Sequence, residues 1–344
     1  MSIRIRRANL QSDRLALIDL FRRHLALSSD ARRFDWLYCN GPQGAARAWL
    51  AVDAAEDAII GGAAAFPRKV YFQGRETTAM VLGDFCIDEE YRSLGPSLQL
   101  QRACLGAVAE GPFEFFYDFP STSMMAIYKR LGIPQTDQLV RWAKPLRAER
   151  KLESLVHSKT LARGLGVVAN TALAWRGWKG SASGCTFELH TGPCQEEFSI
   201  LDAELRLQPG IRAVRTAEFV NWRYLENPTA RHEILAARKR RKLAGYVVFT
   251  ADVEAPWIVD LCCVQEPALI AGLLAAAVDR LRRLGAETVN LNAGESHPWR
   301  GIFKRAGFRA RESSPVVARA RDTASISEVE FRTNWPIMRG DRES

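Results

Sequence analysis

The sequence predicts a mixed α+β fold of two tandem domains, each a mainly antiparallel sheet flanked by helices. The chain has 344 residues, which is more than one compact core usually holds. Two sequence patterns occur twice, in the same order and at nearly equal spacing. The helices and strands expected from apolar periodicity also follow one order in both halves. Together these observations indicate a duplicated domain.

The repeated patterns lie near the start and near the end of each half. Residues 34–42 and 220–228 both read apolar-x-Trp-x-Tyr-x-x-x-Pro, at an offset of 186 residues. Residues 128–133 and 303–308 both read aromatic-Lys-Arg-x-Gly-apolar, at an offset of 175 residues. Either pattern alone is weak evidence, but two in one order favour duplication.

In the first half, alternating or apolar runs predict strands, and runs with a helical period predict helices. Ser12 and Asp13 are suited to cap the first helix, which should end near residue 26. Further helices are expected at 34–38, 97–108 and 123–131. Strands are expected at 3–7, 48–52, 59–71, 77–87, 113–119 and 138–144.

The second half repeats this order. Helices are expected at 196–207, 216–225, 268–284 and 299–306. Strands are expected at 185–190, 233–237, 245–250, 257–263, 288–292 and 316–320. We assign residues 1–146 to an N-terminal domain, 147–182 to a helix-containing linker, 183–330 to a C-terminal domain and 331–344 to a tail.

The composition excludes several classes of protein. Hydrophobic residues make up 47% and charged residues 25%, as in ordinary soluble proteins. No apolar run is long enough for a membrane span, and the N-terminus lacks the apolar core of a signal peptide. The seven cysteines include no Cys-x-x-Cys pair and the five histidines have no ligand spacing, so no metal site is expected. These features predict a cytoplasmic protein.

The net charge of +9 allows three explanations. Binding to nucleic acid, binding to an anionic cofactor such as coenzyme A, or a generally basic proteome would each account for a positive net charge. The basic residues are spread along the chain, with denser spots at 141–163 and 238–242. The second spot lies between two expected strands, which favours a solvated hairpin turn. A nucleic-acid partner is therefore not expected.

The most informative stretch lies where an expected strand leads into an expected helix. Residues 81–98 contain the strand, an acidic turn, Tyr91 and Arg92, a loop with Gly95 and the helix start. Backbone N–H groups and the positive end of the helix dipole would converge there, which suits a pyrophosphate. An ordinary strand-loop-helix turn with Gly95 at a tight bend is the alternative.

This stretch resembles the GNAT superfamily of acyl-CoA transferases. Residues 92–97 are similar to the family's pyrophosphate loop Arg/Gln-x-x-Gly-x-Gly/Ala, residues 87–91 to its lead-in, and residues 126–133 to its closing motif. Ser97 replaces the second Gly/Ala, and Pro96 removes one backbone donor. The resemblance implies that acetyl-CoA, or another acyl-CoA, is bound by Cys86, Ile87, Arg92, Ser93, Leu94, Gly95 and Ser97.

The resemblance also implies a reaction. A deprotonated amine attacks the thioester carbon directly in a ternary complex, and the thiolate of coenzyme A leaves. Tyr128 stands where the family's closing motif has a tyrosine that protonates this thiolate, and a packing role with a structural hydrogen bond is its alternative. The second half lacks these parts, because Phe303 replaces the tyrosine and residues 264–270 contain no glycine. We expect that half to keep the fold and to line the substrate cleft.

Three aspartates and two aromatic residues complete the candidate site. Asp84 ends the strand before the loop, and Asp118 lies in an apolar strand, where a carboxylate needs a partner or a shifted pKa. Either could be the general base, or a turn or cap residue. Asp260 is the counterpart of Asp84 in the second half and could face the same cleft. Trp36 and Tyr38 could bind the acceptor, although their repetition in both halves favours packing.

The expected function is acyl transfer from acyl-CoA to a primary amine of a small molecule. The Phe-x-Trp-Leu-Tyr opening at residues 34–38 is similar to that of double-GNAT chains linked to bacterial exopolysaccharide or cell-envelope precursors, which suggests an amino sugar as the acceptor. Two alternatives stay open. One is an aminoacyl-tRNA-dependent transferase of the peptidoglycan-bridge type, and the other is a non-catalytic module that binds acyl-CoA or a partner.

Overall fold

A computed structural model describes residues 3–25, 29–92, 94–147, 184–322 and 326–343. Ser93 of the expected cofactor loop lies outside these ranges, as does the expected linker beyond residue 147. In the described ranges the expected strands and helices all form. The structure also contains elements that the sequence pattern did not predict. These are a short strand at 211–213, an earlier start of the last strand and two short helical segments after residue 327.

The strands are β1 Ile3–Arg7, β2 Arg47–Asp53, β3 Ala58–Phe72, β4 Arg75–Ile87, β5 Phe115–Asp118, β6 Asp137–Pro145, β7 Cys185–Leu189, β8 Ile211–Ala213, β9 His232–Lys239, β10 Lys242–Thr250, β11 Trp257–Cys263, β12 Thr288–Gly294 and β13 Arg309–Ala320. The α-helices are α1 Arg14–His24, α2 Ala31–Phe34, α3 Leu94–Glu110, α4 Thr122–Arg130, α5 Glu196–Leu205, α6 Ala217–Val220, α7 Pro267–Leu284, α8 Arg300–Arg305 and α9 Glu328–Thr333. Asp35–Cys39 and Asn221–Leu225 form π-helical turns, and Glu89–Tyr91 and Arg339–Asp341 form 3-10 turns.

The thirteen strands of the described ranges belong to one mixed sheet. Its order is β1-β2-β3-β4-β5-β13-β6-β12-β11-β10-β9-β7, with β8 paired to β3 outside this path. The pairs β4–β5 and β11–β12 run parallel, and the other pairs run antiparallel. Each half therefore contains one parallel pair at the same place in its order. The predicted fold class, two domains built on mainly antiparallel strands with flanking helices, is confirmed.

The two halves exchange their closing strands. Strand β6 of the first half pairs with β12 of the second, where Trp142 faces Leu291. The end of β13 pairs with β5, where Val317 faces Asp118, and β13 and β6 also pair with each other. The sequence boundary at residue 146 thus divides the chain into halves that share one sheet, which a repeat pattern alone could not show.

Helices cover both faces of this sheet. Successive residues of a strand point to opposite faces. Accordingly Trp49 of β2 packs in the cluster under α3, whereas Leu50 packs in the cluster under α1. In the second half α7 covers one face, and α5 packs on the other face in the cluster that also contains α1. One hydrophobic core is therefore common to both halves.

The twin Trp-x-Tyr segments pack against each other at the centre of this shared core. The indole N–H of Trp36 donates to the carbonyl of Trp222 over 2.7 Å, and that of Trp222 donates to the carbonyl of Trp36 over 2.9 Å. Their rings stack at 5.1 Å. This reciprocal pairing joins the halves and supports the packing role that the sequence analysis favoured.

The segment that the sequence analysis separated as a tail packs into the protein over its described residues. Phe331, Trp335 and Ile337 are buried in the shared core. Met338 forms a β-bridge with Ala293 of β12. We call residues 335–343 the C-terminal insert, because they lie between elements of the second half rather than outside it.

Candidate active site

A cavity opens where β4 and β5 separate. The two strands pair in parallel only from Ala79 and Phe115 to Val81 and Tyr117, and β4 then continues to Ile87 paired only with β3. A shift in the pairing of β4 with β3 marks a β-bulge here, and Asp84 within it has a φ of 47°. The cavity has a volume of about 990 Å³, which is enough for a cofactor arm and a small acceptor.

Seven of the predicted site residues line this cavity: Trp36, Asp84, Cys86, Ile87, Arg92, Ser97 and Asp118. Four do not. Tyr38, Tyr128 and Asp260 are buried behind its surface, and Gly95 is solvent-exposed at the start of α3. Leu94 begins that helix. The wall also contains residues that the sequence analysis did not name, among them Arg33, Gln101, Arg223, His232, Arg339 and Arg342.

The first turn of α3 presents free backbone donors beside the cavity. Counted from the N-cap residue that precedes it, an α-helix leaves its first four N–H groups without helical acceptors. Pro96 has no N–H, so Leu94 and Gly95 provide the donors, and proline is well tolerated in a first helical turn. Arg92 donates through Nε to the carbonyl of Ile87 over 3.3 Å, which holds its side chain beside the end of β4. Donors and positive charge therefore meet at one end of the cavity.

Asp118 is the carboxylate at the mouth of the splayed strands. Its Oδ2 accepts a hydrogen bond of 2.5 Å from the hydroxyl of Tyr128, and its Oδ1 accepts one of 2.7 Å from the N–H of Phe119. Burial raises the pKa of Asp118 to about 6, although both hydrogen bonds act to lower it. A carboxylate with this pKa is ionised at neutral pH and still basic enough to take a proton.

Tyr128 lies behind Asp118. Its hydroxyl donates to Asp118 and accepts from the side-chain amide of Gln101 over 3.0 Å. Burial and the neighbouring carboxylate raise the pKa of Tyr128 well above its usual value of 10. A phenol that is fully buried and already donates to a carboxylate is poorly placed to protonate a thiolate in the cavity. The acid role stays a prediction, and the geometry favours a role in positioning Asp118.

Asp84 is engaged in an ion pair that the sequence did not reveal. Arg33 donates to both of its carboxylate oxygens at 2.9 Å, and the Tyr38 hydroxyl donates to Oδ2 at 2.7 Å. Both carboxylate oxygens of Asp84 are therefore already engaged by Arg33 and Tyr38. Of the two predicted base candidates, the contacts favour Asp118.

The second half contains the same arrangement. Arg215 donates to both oxygens of Asp260, at 2.7 and 3.0 Å, and the Tyr224 hydroxyl donates to Oδ2 at 2.7 Å. Burial opposes ionisation of Asp260, but the charge of Arg215 holds the pKa below its usual value. Asp260 is fully buried and does not reach the cavity. The structure therefore does not support the predicted contact of Asp260 with the acceptor.

Replacing Asp260 with alanine is expected to lower the free energy of unfolding by about 3–5 kcal/mol, because the buried Arg215 would lose one of its two carboxylate partners and keep Asp341. Urea denaturation followed by circular dichroism measures this change. Asp19→Ala is the control, since that exposed i,i+4 pair with Arg23 should contribute about 0.5 kcal/mol at most. A loss below about 1 kcal/mol for Asp260→Ala would contradict the structural role.

Within the described ranges, no group of three or more His, Cys, Asp or Glu side chains could hold a metal ion. No helix in the part of the chain covered by the structure is both long and apolar enough to cross a membrane.

No protein-family model and no curated protein matched the chain. Solved structures match over nearly its whole length. A conserved protein of unknown function from Enterococcus faecalis V583, described as a probable N-acyltransferase, has a TM-score of 0.66 and 12% identity, covering 94% of this chain and 73% of that one. A GCN5-related N-acetyltransferase from Anabaena variabilis ATCC 29413 has a TM-score of 0.66 and 14% identity, covering 94% and 74%.

A tandem GNAT protein from the clavulanic acid biosynthesis pathway matches over 93% of this chain and 99% of its own, with a TM-score of 0.58 and 12% identity. This chain has the tandem GNAT fold. The duplicated order of elements and the one parallel pair in each half follow from that fold.

In each half of this tandem GNAT fold the two parallel strands separate beyond their paired residues, and the two spaces between them differ in what fills them. In the first half the space beyond Val81 and Tyr117 is the cavity. In the second half β11 and β12 pair only at Trp257 and Ile258, and the C-terminal insert occupies the space beyond. A Cβ atom at Gly340 of the insert would overlap the Tyr224 hydroxyl. The second splay is therefore closed, and the end of the insert becomes part of the wall of the first.

Proposed function

We propose that the chain transfers an acyl group from acyl-CoA to a primary amine in the cavity of the first half. The observation that carries this proposal is the splay of β4 and β5 beside the first turn of α3, with Asp118 at its mouth. The tandem GNAT fold supports it, because solved structures of this fold include proteins described as N-acetyltransferases. The second half supplies a wall of the cavity and no second reaction site.

The residues present fit the pyrophosphate of coenzyme A. The N–H groups of Leu94 and Gly95 and the hydroxyl of Ser97 would hold its oxygens, and Arg92 would supply a positive charge beside them. A Cβ added at Gly95 would meet open space, so the approach to this turn is clear. When bound, acyl-CoA supplies the thioester carbon that the amine attacks and the thiolate that leaves.

Asp118 would act as the general base. It takes the proton that the acceptor amine loses as the nitrogen bonds to the acyl carbon, while the carbon–sulfur bond breaks. Tyr128 and the N–H of Phe119 fix the orientation of the carboxylate. The apolar side chains Met124 and Ile127 line the cavity near it and limit the access of water. General-base catalysis of this kind contributes about 10²- to 10⁴-fold to a rate.

The acceptor proposed from the sequence is a small-molecule amine, such as an amino sugar of an envelope or exopolysaccharide precursor. Trp36 of the first half and Asn227 and Thr229 of the second half line the cavity and would contact it. Asn227 and Thr229 carry hydrogen-bonding groups that suit a polar acceptor. The cytoplasmic location stays a prediction.

Calorimetric titration with acetyl-CoA tests the proposal. The wild type should bind at micromolar strength, and Gly95→Trp should weaken binding at least tenfold, because the indole would cover the helix donors. Gly106→Trp is a matched control: it lies on the same helix, its Cβ also meets open space, and it is about 16 Å further along the axis. It should bind like the wild type.

Two results would contradict the proposal. If the wild type binds no acyl-CoA, the cofactor site does not function, and salt-sensitive binding of tRNA would then favour the aminoacyl-tRNA alternative. If Gly95→Trp and Gly106→Trp bind equally well, acyl-CoA binds away from the first turn of α3.

A further inference from the structure

The C-terminal insert carries two arginines into the cavity. Arg339 and Arg342 both line it, together with Gly340 and Glu343. None of these residues belongs to the elements that would hold coenzyme A. The part of the cavity that they form is therefore available to the other substrate, the acceptor.

The backbone that bears these arginines is held in place by contacts on both sides. Asp341 accepts a hydrogen bond of 2.9 Å from Arg215 and one of 2.8 Å from the N–H of Met338. Arg223 donates to the carbonyls of Gly340 and Arg342. Because the second-half core fixes the insert in this way, its side chains are positioned in advance of any ligand.

The cavity wall has an excess of positive charge. It contains the arginines 33, 92, 223, 339 and 342 and the carboxylates of Asp84, Asp118 and Glu343. Arg33 already neutralises Asp84. Glu343 is shared between Arg68, which lies behind the wall, and Arg223. Arg92 pairs with Glu89 outside the wall, and the charge of Asp118 acts on Arg342. Three carboxylates of the wall therefore face five arginines.

Arg339 is the clearest site of this excess. Its guanidinium lies over the ring of Trp257 at 4.4 Å, and no carboxylate among the described residues forms an ion pair with it. Burial, together with the nearby charges of Arg342 and Arg223, lowers the pKa of Arg339. Cations held together in a half-buried wall are stabilised by an anion that enters between them.

We propose that the acceptor carries an oxyanion, a carboxylate or a phosphate, in addition to its amine, and that Arg339 and Arg342 bind this group. The planar guanidinium matches both oxyanions through paired hydrogen bonds. The inference rests on the proposed acyl transfer and names the class of acceptor for it.

Matched pairs of amines test this inference. One pair is an amino acid and its carboxamide, and the other is an amino sugar phosphate and the unphosphorylated amino sugar. Calorimetric titrations in the presence of coenzyme A measure binding, and thiol release from acetyl-CoA measures turnover. The anionic member of at least one pair should bind about tenfold or more tightly than its neutral counterpart. The pair that shows this preference distinguishes a carboxylate from a phosphate.

Arg339→Gln should remove most of this preference and leave about twofold or less, with the binding of the neutral member little affected. Arg339→Lys should restore part of it, because the charge returns without the paired geometry. Arg319→Gln, on the exposed side of β13, is the control and should change nothing. Thermal denaturation checks that each variant remains folded.

Three results would overturn the inference. The first is that no anionic amine binds more tightly than its neutral counterpart. The second is that the preference for the anionic amine survives both Arg339→Gln and Arg342→Gln. The third is that these variants weaken acetyl-CoA binding instead, which would show that the arginines bind the cofactor. Each is distinct from failure of the proposed function, which is shown by a wild type that binds no acetyl-CoA at all.

Discussion

Asp118→Asn should lower kcat by about 10²- to 10⁴-fold while the Kd for acetyl-CoA stays within about twofold of the wild type. The amide has nearly the shape of the carboxylate but cannot accept the proton of the amine. Initial rates of thiol release, with calorimetry for the cofactor, separate the two effects. A variant that keeps the kcat of the wild type would contradict the base role of Asp118 and favour Asp84 as the base.

The same substitution has an opposite effect on stability. Because burial raises the pKa of Asp118 to about 6, the folded state holds this proton more strongly than the unfolded chain does. The associated stability is present below about pH 4 and is lost as the pH rises through 6. Above that pH the asparagine variant should be about 1–2 kcal/mol more stable than the wild type, after allowance for one poorer hydrogen bond.

Tyr128→Phe separates a positioning role from an acid role. Its hydroxyl donates to Asp118 and so lowers the pKa of that carboxyl. Without it the acidic limb of the kcat/KM profile should move to higher pH, and activity should be largely retained above that limb. If Tyr128 is the acid that protonates the thiolate, the variant should instead lose activity at every pH, with the acidic limb unmoved.

The cofactor end of the site, which stays a prediction, could be proposed from the sequence because its signals are local. Arg92, Gly95 and Ser97 are near neighbours in the chain, and a strand leading into a helix places them at one spot wherever the rest of the fold lies. The duplication could also be predicted from the sequence, since the same two short patterns occur once in each half. The likeness of Tyr128 to a family acid was also local, but its burial behind Asp118 depends on how α4 packs.

Features of the site that join distant parts of the chain could not be predicted from local sequence patterns. The ion pair of Arg33 with Asp84 joins α2 to the bulge of β4, and nothing in either segment indicates the other. The exchanged strands β6 and β13 pair antiparallel with all their neighbours, so the alternation of apolar residues along them is satisfied with or without the exchange. The apolar run from Trp335 to Met338 was the available signal that the last residues are not a free tail.

The far end of the splayed parallel pair is open in the first half, where it forms the cavity, and the C-terminal insert closes it in the second half. It places Trp335 against Tyr117 at 5.1 Å and Phe331 at 5.6 Å, within the core common to both halves. Its acidic residues Asp341 and Glu343 are partners of the buried Arg215 and Arg68. Loss of the insert would leave apolar surface exposed and two buried cations with fewer partners, both of which are costly.

Ending the chain after Asn334 should therefore lower the thermal midpoint by roughly 10 °C or more, or prevent cooperative folding. Differential scanning calorimetry of the purified variant measures this effect. Thr333→Ala, an exposed position just before the insert, is the control and should stay within about 0.5 kcal/mol of the wild type. A truncated chain as stable as the wild type would show that the insert is a dispensable tail. It would then also be an unsuitable support for arginines that select the acceptor.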